Sequence, residues 1–398
     1  MSLIARLARA RREGRLGYAL SSRLAPRLRG ARYLLHDPAA SRVVIDCPEY
    51  VTPSRDEGEL RLVRRIFDAF RKMKEDQRRA SPDYLPSSQW TEQLDRAYDR
   101  FGTALRTGDV GPFHFFLANF GTWKEYHGVE STTLLRESLR SPLRRRWLAN
   151  DVFLGQLRIW EWFQGGRRPL ARLSYPRHGN QAGALIDGTF VGPGSFFNEI
   201  YGSQLAGLLD GTERPVIADL GGGYGKLGYF ILRDLPRAGF VDFDLPETVC
   251  LAAYYLMKVW PDRPALLYGE GTLDASALAR HDLVFMPSYE IEKLPDRSID
   301  LFVNKNSLGE MTRASVEAYV AHIARATRSF FFHLNHEIHP NLYDDGSRGL
   351  LGHEYPVPSA EFRLLMRYPD IGHLLHQGYP DYRMDIFLYL YERRLSGR

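Results

Sequence analysis

One stretch constrains the chain more than any other: Val216 to Phe230, VIADLGGGYGKLGYF. A short apolar run ends in a carboxylate, passes through a glycine cluster, and resumes with Leu227, Phe230, Ile231 and Leu235 at helical spacing. That pattern is a buried strand, a tight turn and a helix, with glycine wherever the turn's backbone must come close to a ligand. Two fingerprints overlap in it. Asp219, Gly221, Gly223 and Gly225 spell D-x-G-x-G-x-G, which suggests an S-adenosylmethionine site. Gly223, Gly225 and Gly228 spell G-x-G-x-x-G, which suggests a nicotinamide or flavin dinucleotide site.

Charge separates the two. A pyrophosphate is anionic and favours a helix N-terminus without a carboxylate beside it. Asp219 ends the first strand two residues before the first glycine and repels such a group. S-adenosylmethionine has no phosphate and carries a sulfonium and an ammonium, which a carboxylate attracts. Asp244, 19 residues after Gly225, does not discriminate, because the ribose hydroxyls of either ligand accept it. Gly228 then serves helix–sheet packing.

The surroundings fit an α/β fold. From residue 195 onward, helical patterns alternate with apolar runs, PVIADL, FVDFDL, ALLYG, DLVFMP, IDLFVN, SFFFHLN and DIFLYLYER. Continuous apolar strands between helices predict a parallel sheet covered on both faces, a Rossmann-like arrangement. Upstream the pattern is helical. In EGELRLVRRIFDAFRKMKEDQRR, Val63, Ile66, Phe67, Phe70 and Met73 share one face. WTEQLDRAYDRFGTAL and LLRESLRSPLRRRWLANDVFLGQLRIWEWF read as further helices, and YPRHGNQAG and IDGTFVGPGS as a loop-rich connector. The expected organisation is a basic extension over 1–50, a mainly helical substrate or lid domain over 51–190, and the cofactor-binding domain over 191–398.

Composition narrows the setting. Two cysteines, Cys47 and Cys250, build neither a disulfide framework nor a cysteine zinc site, which fits a reducing cytoplasm. No apolar run approaches the roughly 18–20 residues that span a bilayer, and the Arg-broken start does not read as a signal peptide. Residues 1–37 carry nine Arg against Glu13 and Asp37, a charge of +7 in a chain whose net charge is +5. With Leu3, Ile4, Leu7, Ala8, Leu16 and Leu20 at near-helical spacing, this arm reads either as a solvated extension or as a weak contact to an anionic membrane surface. No nucleic-acid module accompanies the charge, so no nucleic-acid partner is expected.

The run VIADLGGGYGKLGYF followed by FVDFDLPETV resembles the class I methyltransferases that use S-adenosylmethionine. YPRHGNQAGALIDG, FNEIYGSQL, FVDFDLPETVCLAAYYL, DLVFMPS, IDLFVNKNSLGEM and FHLNHE together resemble, more narrowly, the sugar O-methyltransferase family, from about residue 101 to the C-terminus. The resemblance implies a seven-stranded sheet whose last strand is antiparallel, and transfer of a methyl group to a hydroxyl of a sugar or glycosylated metabolite. An N- or C-methyltransferase of another small molecule, and a non-catalytic scaffold in glycan assembly, are the alternatives. The resemblance further implies that Asp219, Gly221, Gly223 and Gly225 form the cofactor loop. Asp244 holds the ribose with Leu245 beside the adenine, Pro287 and Ser288 line the adenine side, and Asn304 stands at the mouth of the cleft.

Methyl transfer to a sugar hydroxyl needs a group that removes a proton. Two segments following strands qualify. In NKNSLGEM, which holds Asn304, Asn306 and Ser307, Glu310 is the candidate, in a loop where many small-molecule O-methyltransferases carry a His. In FHLNHEIHP it is His336. His336, Glu337 and His339 do not form H-E-x-x-H, because His339 comes one residue too early, so no metal is assigned. Substrate contacts are expected at Trp123, Asn180, Tyr201 and Asn306, since aromatic faces stack on sugar rings and amides bond hydroxyls.

Overall fold

Four apolar runs, Val216–Leu220, Gly239–Asp244, Leu283–Pro287 and Ile299–Lys305, are buried almost residue for residue, as strands covered on both faces must be. The computed structural model that shows this describes residues 16–343, 346–370 and 385–394, with side chains from residue 24. The first half comprises α1 (Leu16–Ala31), β1 (Val43–Asp46), α2 (Glu57–Gln77), α3 (Ser88–Ala97), α4 (Asp99–Thr107), α5 (Gly111–Leu117), α6 (Thr133–Leu139), α7 (Pro142–Trp147), a π-helical segment Leu148–Leu154, α8 (Gly155–Phe163), and a hairpin of β2 (Gly183–Ile186) and β3 (Thr189–Val191). The second half comprises α9 (Ser195–Leu208), β4 (Val216–Leu220), α10 (Lys226–Asp234), β5 (Gly239–Asp244), α11 (Pro246–Val259), β6 (Ala265–Leu267), α12 (Ala275–Arg280), β7 (Leu283–Pro287), β8 (Ile299–Lys305), α13 (Arg313–Ala326), β9 (Thr327–His336), β10 (Phe362–Pro369) and β11 (Ile386–Arg393).

The large sheet has eight strands among the described residues, in the order β10-β11-β9-β8-β4-β5-β7-β6. Strands β4 to β9 pair in parallel, and β11 enters antiparallel between β9 and β10. This is the expected α/β, Rossmann-like fold with an antiparallel last strand, and with eight strands rather than seven. The strand absent from the sequence reading is β10. Its sequence, FRLLMRYP, is exposed along nearly its whole length, so as an edge strand it shows neither an apolar run nor clean alternation. Around β4 the chain reverses its direction of growth: β5 lies on one side and β8 on the other. Ligands bind at such a switch point, outside the carboxyl ends of the strands.

The N-terminal half is mainly helical, with two departures from expectation. Helices read as single are broken, at Tyr98 between α3 and α4, at Ser141, and by the π-helical segment. A second sheet, β1-β2-β3, is present. Its hairpin turns at Asp187 and Gly188, both with positive φ (47° and 80°), the two-residue turn that Asp-Gly favours. Strand β1 lies inside the segment read as an extension and pairs with β2 from Val43↔Ile186 to Asp46↔Gly183.

The end of α1 is packed as well. A Cβ on Gly30 would stand 1.8 Å from the Leu143 carbonyl oxygen of α7, and the Ala39 N–H donates to Asn150 Oδ1 over 3.1 Å. Leu3, Ile4, Leu7 and Ala8 of the basic arm lie outside the described residues. No helix among the described residues is long and apolar enough to cross a membrane.

The two halves share one apolar core. Val63, Ile66, Phe67, Phe70 and Met73 are buried on the inner face of α2, as their spacing predicts, and belong to the same cluster as Tyr254, Tyr255 and Leu256 of α11. Polar struts cross the seam. Glu199 of α9, fully buried, accepts from Trp160 Nε1 of α8 (2.7 Å) and from Arg168 Nη1 (2.7 Å).

Candidate active site

The turn after β4 has the backbone that its glycines predict. Gly221, Gly223 and Gly225 all have positive φ (78°, 64° and 81°), which side-chain-bearing residues rarely adopt. Gly228 has ordinary helical backbone; its Cβ would meet the Phe240 ring at 2.6 Å, so it is small because α10 packs on β5 there. Gly221 is the position that favours the frame beginning at Asp219, since it belongs to that frame alone, whereas a small residue at 228 for helix–strand packing suits both.

Over this turn lies a cavity of about 500 Å³, a normal size for a small-molecule site. Asp219, Gly221, Gly223, Asp244, Leu245, Ser288, Asn306 and Glu310 all line it. Asp244 braces the turn: its Oδ2 accepts the Gly223 N–H over 2.9 Å and its Oδ1 the Leu245 N–H over 2.7 Å. Asp219 Oδ1 is buried and has no hydrogen-bond partner. Burial, then the neighbouring Asp244 charge, push the Asp219 carboxyl up to about 7. Burial raises Asp244 to about 6 against the hydrogen bonds it accepts. A buried carboxyl left without a partner is costly, and one at the edge of a cavity is placed to receive a cation.

Gly225 and Pro287 are not among the lining residues. Gly225 caps α10, where its Cβ would stand 2.8 Å from Leu256 Cδ1, and Pro287 ends β7. Asn304 is a correction to its expected place at the cleft mouth. It is fully buried, donates to the Leu220 carbonyl (2.8 Å) and to Ser307 Oγ (2.5 Å), and accepts from Asn335 Nδ2 (2.9 Å). Its amide is spent on tying the end of β4 to the loop after β8.

The two base candidates part here. Glu310 lines the cavity and accepts from Trp90 Nε1 over 2.7 Å. Burial raises its carboxyl above the ordinary range, while the Trp90 N–H and the nearby His336 act the other way. His336 is not among the lining residues. Its Nδ1 lies 2.9 Å from Asp385 Oδ2, and its ring packs beside Gly309, where an added Cβ would meet His336 Cδ2 at 3.1 Å. It ends β9 and packs against the 307–310 turn.

Three of the four expected substrate contacts also lie elsewhere. Trp123 stacks on Tyr50 (4.9 Å) within the aromatic cluster that includes Phe116. Asn180 donates to the Glu49 carbonyl and to Asn119 Oδ1, holding a turn in which its own φ is 58°. Tyr201 is buried against Phe332 of β9. Only Asn306 lines the cavity.

In their place the helical half supplies Trp90, Tyr126, Glu130, Leu148, Val152 and Gln156. Two of these belong to the π-helical segment, a helix form often found at functional sites. Asn198, Lys226 and Lys305 line the cavity too. Their signals lay in the sequence: Lys226 directly follows the glycine turn, Lys305 sits between Asn304 and Asn306, and Asn198 interrupts the apolar start of α9. Asp242, directly opposite Asp219 in the β4–β5 register, is buried without partners and its carboxyl is raised by burial.

No family model matches the chain, and no curated protein does. Among solved structures it is similar to the mitomycin 7-O-methyltransferase MmcR, 14% identical, with 76% of this chain and 68% of that one covered and a TM-score of 0.33. It is similar to a SAM-dependent methyltransferase from Aquifex aeolicus at 13% identity, over 51% of this chain and 94% of that one, with a TM-score of 0.33. It is also similar to the magnesium protoporphyrin IX methyltransferase of Synechocystis PCC 6803, solved with bound SAM, at 12% identity over 50% and 81% of the chains, with a TM-score of 0.33.

Proposed function

We propose that the chain is an S-adenosylmethionine-dependent O-methyltransferase, and that its acceptor is a hydroxyl of a sugar or glycosylated metabolite. The observation that carries the cofactor assignment is the Asp219 carboxyl, buried at the lining of the cavity over the glycine turn, with its Oδ1 unpartnered. It suits a cationic ligand and opposes a pyrophosphate. The sugar assignment rests on the sequence resemblance and is the finer part of the reading.

S-adenosylmethionine, when bound, supplies an electrophilic methyl group. The chain's own residues do the rest. Asp219 attracts the cationic end, Asp244 accepts the ribose hydroxyls, and the glycine turn lets the backbone come close. Glu310 takes the proton of the acceptor hydroxyl, its affinity for that proton raised by burial and held in check by the Trp90 N–H. Positioning of the two reactants and removal of the proton are what the protein contributes. The basic N-terminal arm is proposed as a weak contact to an anionic membrane surface.

Calorimetric titration of the full chain with S-adenosylmethionine, S-adenosylhomocysteine and NAD tests the cofactor. Binding of the first two and not of NAD is expected, and tight NAD binding alone would overturn the reading. A panel of hydroxyl and amine acceptors, sugars included, tests the acceptor; methylation of amines only would sink O-methylation.

A further inference from the structure

Two ammonium groups face one end of the cavity. Lys226 opens α10 directly after the glycine turn. Its Nζ lies 3.7 Å from Glu130 Oε2, donates to the Pro193 carbonyl, and stands 4.5 Å from the centre of the Tyr175 ring. Lys305 closes β8, and its Nζ donates to Asn198 Oδ1 over 3.2 Å. The charged groups acting on Lys305 are Lys226, Asp219 and Glu130, and Glu130 is already engaged by Lys226. Burial and the Lys226 charge pull the Lys305 ammonium down to about 8, against the two carboxylates.

Asp219 and Lys305 leave the carboxyl ends of adjacent parallel strands, where Leu220 pairs with Asn304. They share the cavity without meeting as an ion pair: Asp219 Oδ1 has no partner, and Lys305 is turned to an uncharged amide. An acid and a base held apart in one cavity complement a ligand that brings a cation to the first and an anion to the second. An ammonium has three N–H groups, and Asn198 takes one of them.

We propose that Lys305, steadied by Asn198, is a carboxylate subsite of this cavity. The carboxylate belongs either to the amino-acid tail of S-adenosylmethionine or to an acidic group on the acceptor. The chemistry at Lys305 is the same in both cases, an ammonium donating charge-assisted hydrogen bonds. The first source rests on the cofactor reading above and the second does not.

Calorimetry on the full chain and on Lys305→Met and Lys305→Arg decides between the sources. The probes are S-adenosylhomocysteine, 5′-methylthioadenosine (the same nucleoside thioether without the amino-acid tail), glucuronate and glucose. If the cofactor supplies the carboxylate, Lys305→Met weakens S-adenosylhomocysteine about 10- to 100-fold, leaves methylthioadenosine unchanged, and Lys305→Arg restores most of the loss. If the acceptor supplies it, the unaltered chain binds glucuronate over glucose, Lys305→Met abolishes that preference, and S-adenosylhomocysteine is unaffected. The subsite is overturned if Lys305→Met matches the unaltered chain for both acidic probes, or if methylthioadenosine weakens in step with S-adenosylhomocysteine. A chain that binds neither nucleoside overturns the cofactor reading, and the glucuronate arm then decides the subsite by itself.

Discussion

Glu59, on the long helix α2, accepts a 2.5 Å hydrogen bond from the Tyr254 hydroxyl of α11, and its other oxygen lies 2.6 Å from Lys258 Nζ. His114 of α5 approaches the same carboxylate at 3.4 Å. One buried acid thus holds the helical half against the sheet half, where it roofs the cavity.

Replacing Glu59 by Ala is expected to cost about 3–5 kcal/mol of stability, the usual consequence of breaking a buried ion pair from one side. The carboxyl is held down to about 2 by the His114, Lys258 and Tyr254 contacts against its burial. A group whose folded value is depressed stabilises above its unfolded value, and that contribution is lost as pH falls from about 4.5 toward 2. Urea unfolding of both chains at pH 7 and at pH 3 measures it. An equal difference between the two chains at both pH values would sink the account.

The site carboxyls have the opposite sign. Asp219 and Asp244 are raised to about 7 and about 6, so the folded chain holds protons that the unfolded chain has released. Stability from these groups is therefore present at about pH 4 and falls as pH rises toward 7. A tenfold change in proton affinity is about 1.4 kcal/mol, which makes the effect several kcal/mol. Asp219→Asn should raise the thermal midpoint of the ligand-free chain at pH 8 and leave it nearly unchanged at pH 4. The same substitution should weaken S-adenosylmethionine by about 1–3 kcal/mol at pH 8 and remove the rise in affinity expected between pH 6 and 8. Unchanged affinity would mean that Asp219 does not face the ligand.

What could be read in advance follows burial. Strands β4, β5, β7 and β8 are buried on both faces and announce themselves as apolar runs; β10 is an exposed edge and does not. The positive-φ glycines and Asp244 were legible because local backbone geometry dictates them. Trp123, Asn180 and Tyr201 were assigned by residue chemistry alone, and tertiary packing turned each to core or turn duty. His336 and Glu310 have equal claims as chemistry after a strand. Only the three-dimensional path of the chain, which lines the cavity with Glu310 and not with His336, separates them.

The N-terminal boundary also moves. Removing residues 1–23 is expected to leave the folding transition and the affinity for S-adenosylhomocysteine intact. Removing 1–46 should lower the urea midpoint sharply, because it deletes β1 from the small sheet and the contacts of residues 30–39 with α7 and Asn150. Gly30→Ala should destabilise by itself, since no Cβ fits 1.8 Å from a backbone oxygen. Equal midpoints for the two truncations would show that this strand contributes nothing. Flotation with anionic liposomes tests the arm: full-length chain should float more than the 24–398 chain, and equal flotation would end the membrane proposal.

The base assignment is the sharpest test of the mechanism. Glu310→Gln keeps the shape and the Trp90 hydrogen bond within reach but cannot accept a proton. It should lower turnover on the order of 100-fold or more with cofactor affinity near normal, since general-base catalysis is typically worth that much. Trp90→Phe probes the same carboxylate from outside. The indole N–H favours the ionised form, so its loss raises the Glu310 carboxyl further, and the rising limb of the pH–rate profile should move to higher pH while the plateau stays within a few-fold. His336→Ala should keep turnover within about 10-fold. It should move the limb upward too, because the His336 charge also favours ionised Glu310. A 100-fold loss in His336→Ala beside a wild-type rate in Glu310→Gln would reverse the roles and require His336 to reach the cavity in the active enzyme. If both variants lose turnover while Trp90→Phe leaves the profile where it was, the hydrogen bond from Trp90 has no hold on the proton-accepting group, and Glu310 is a structural acid.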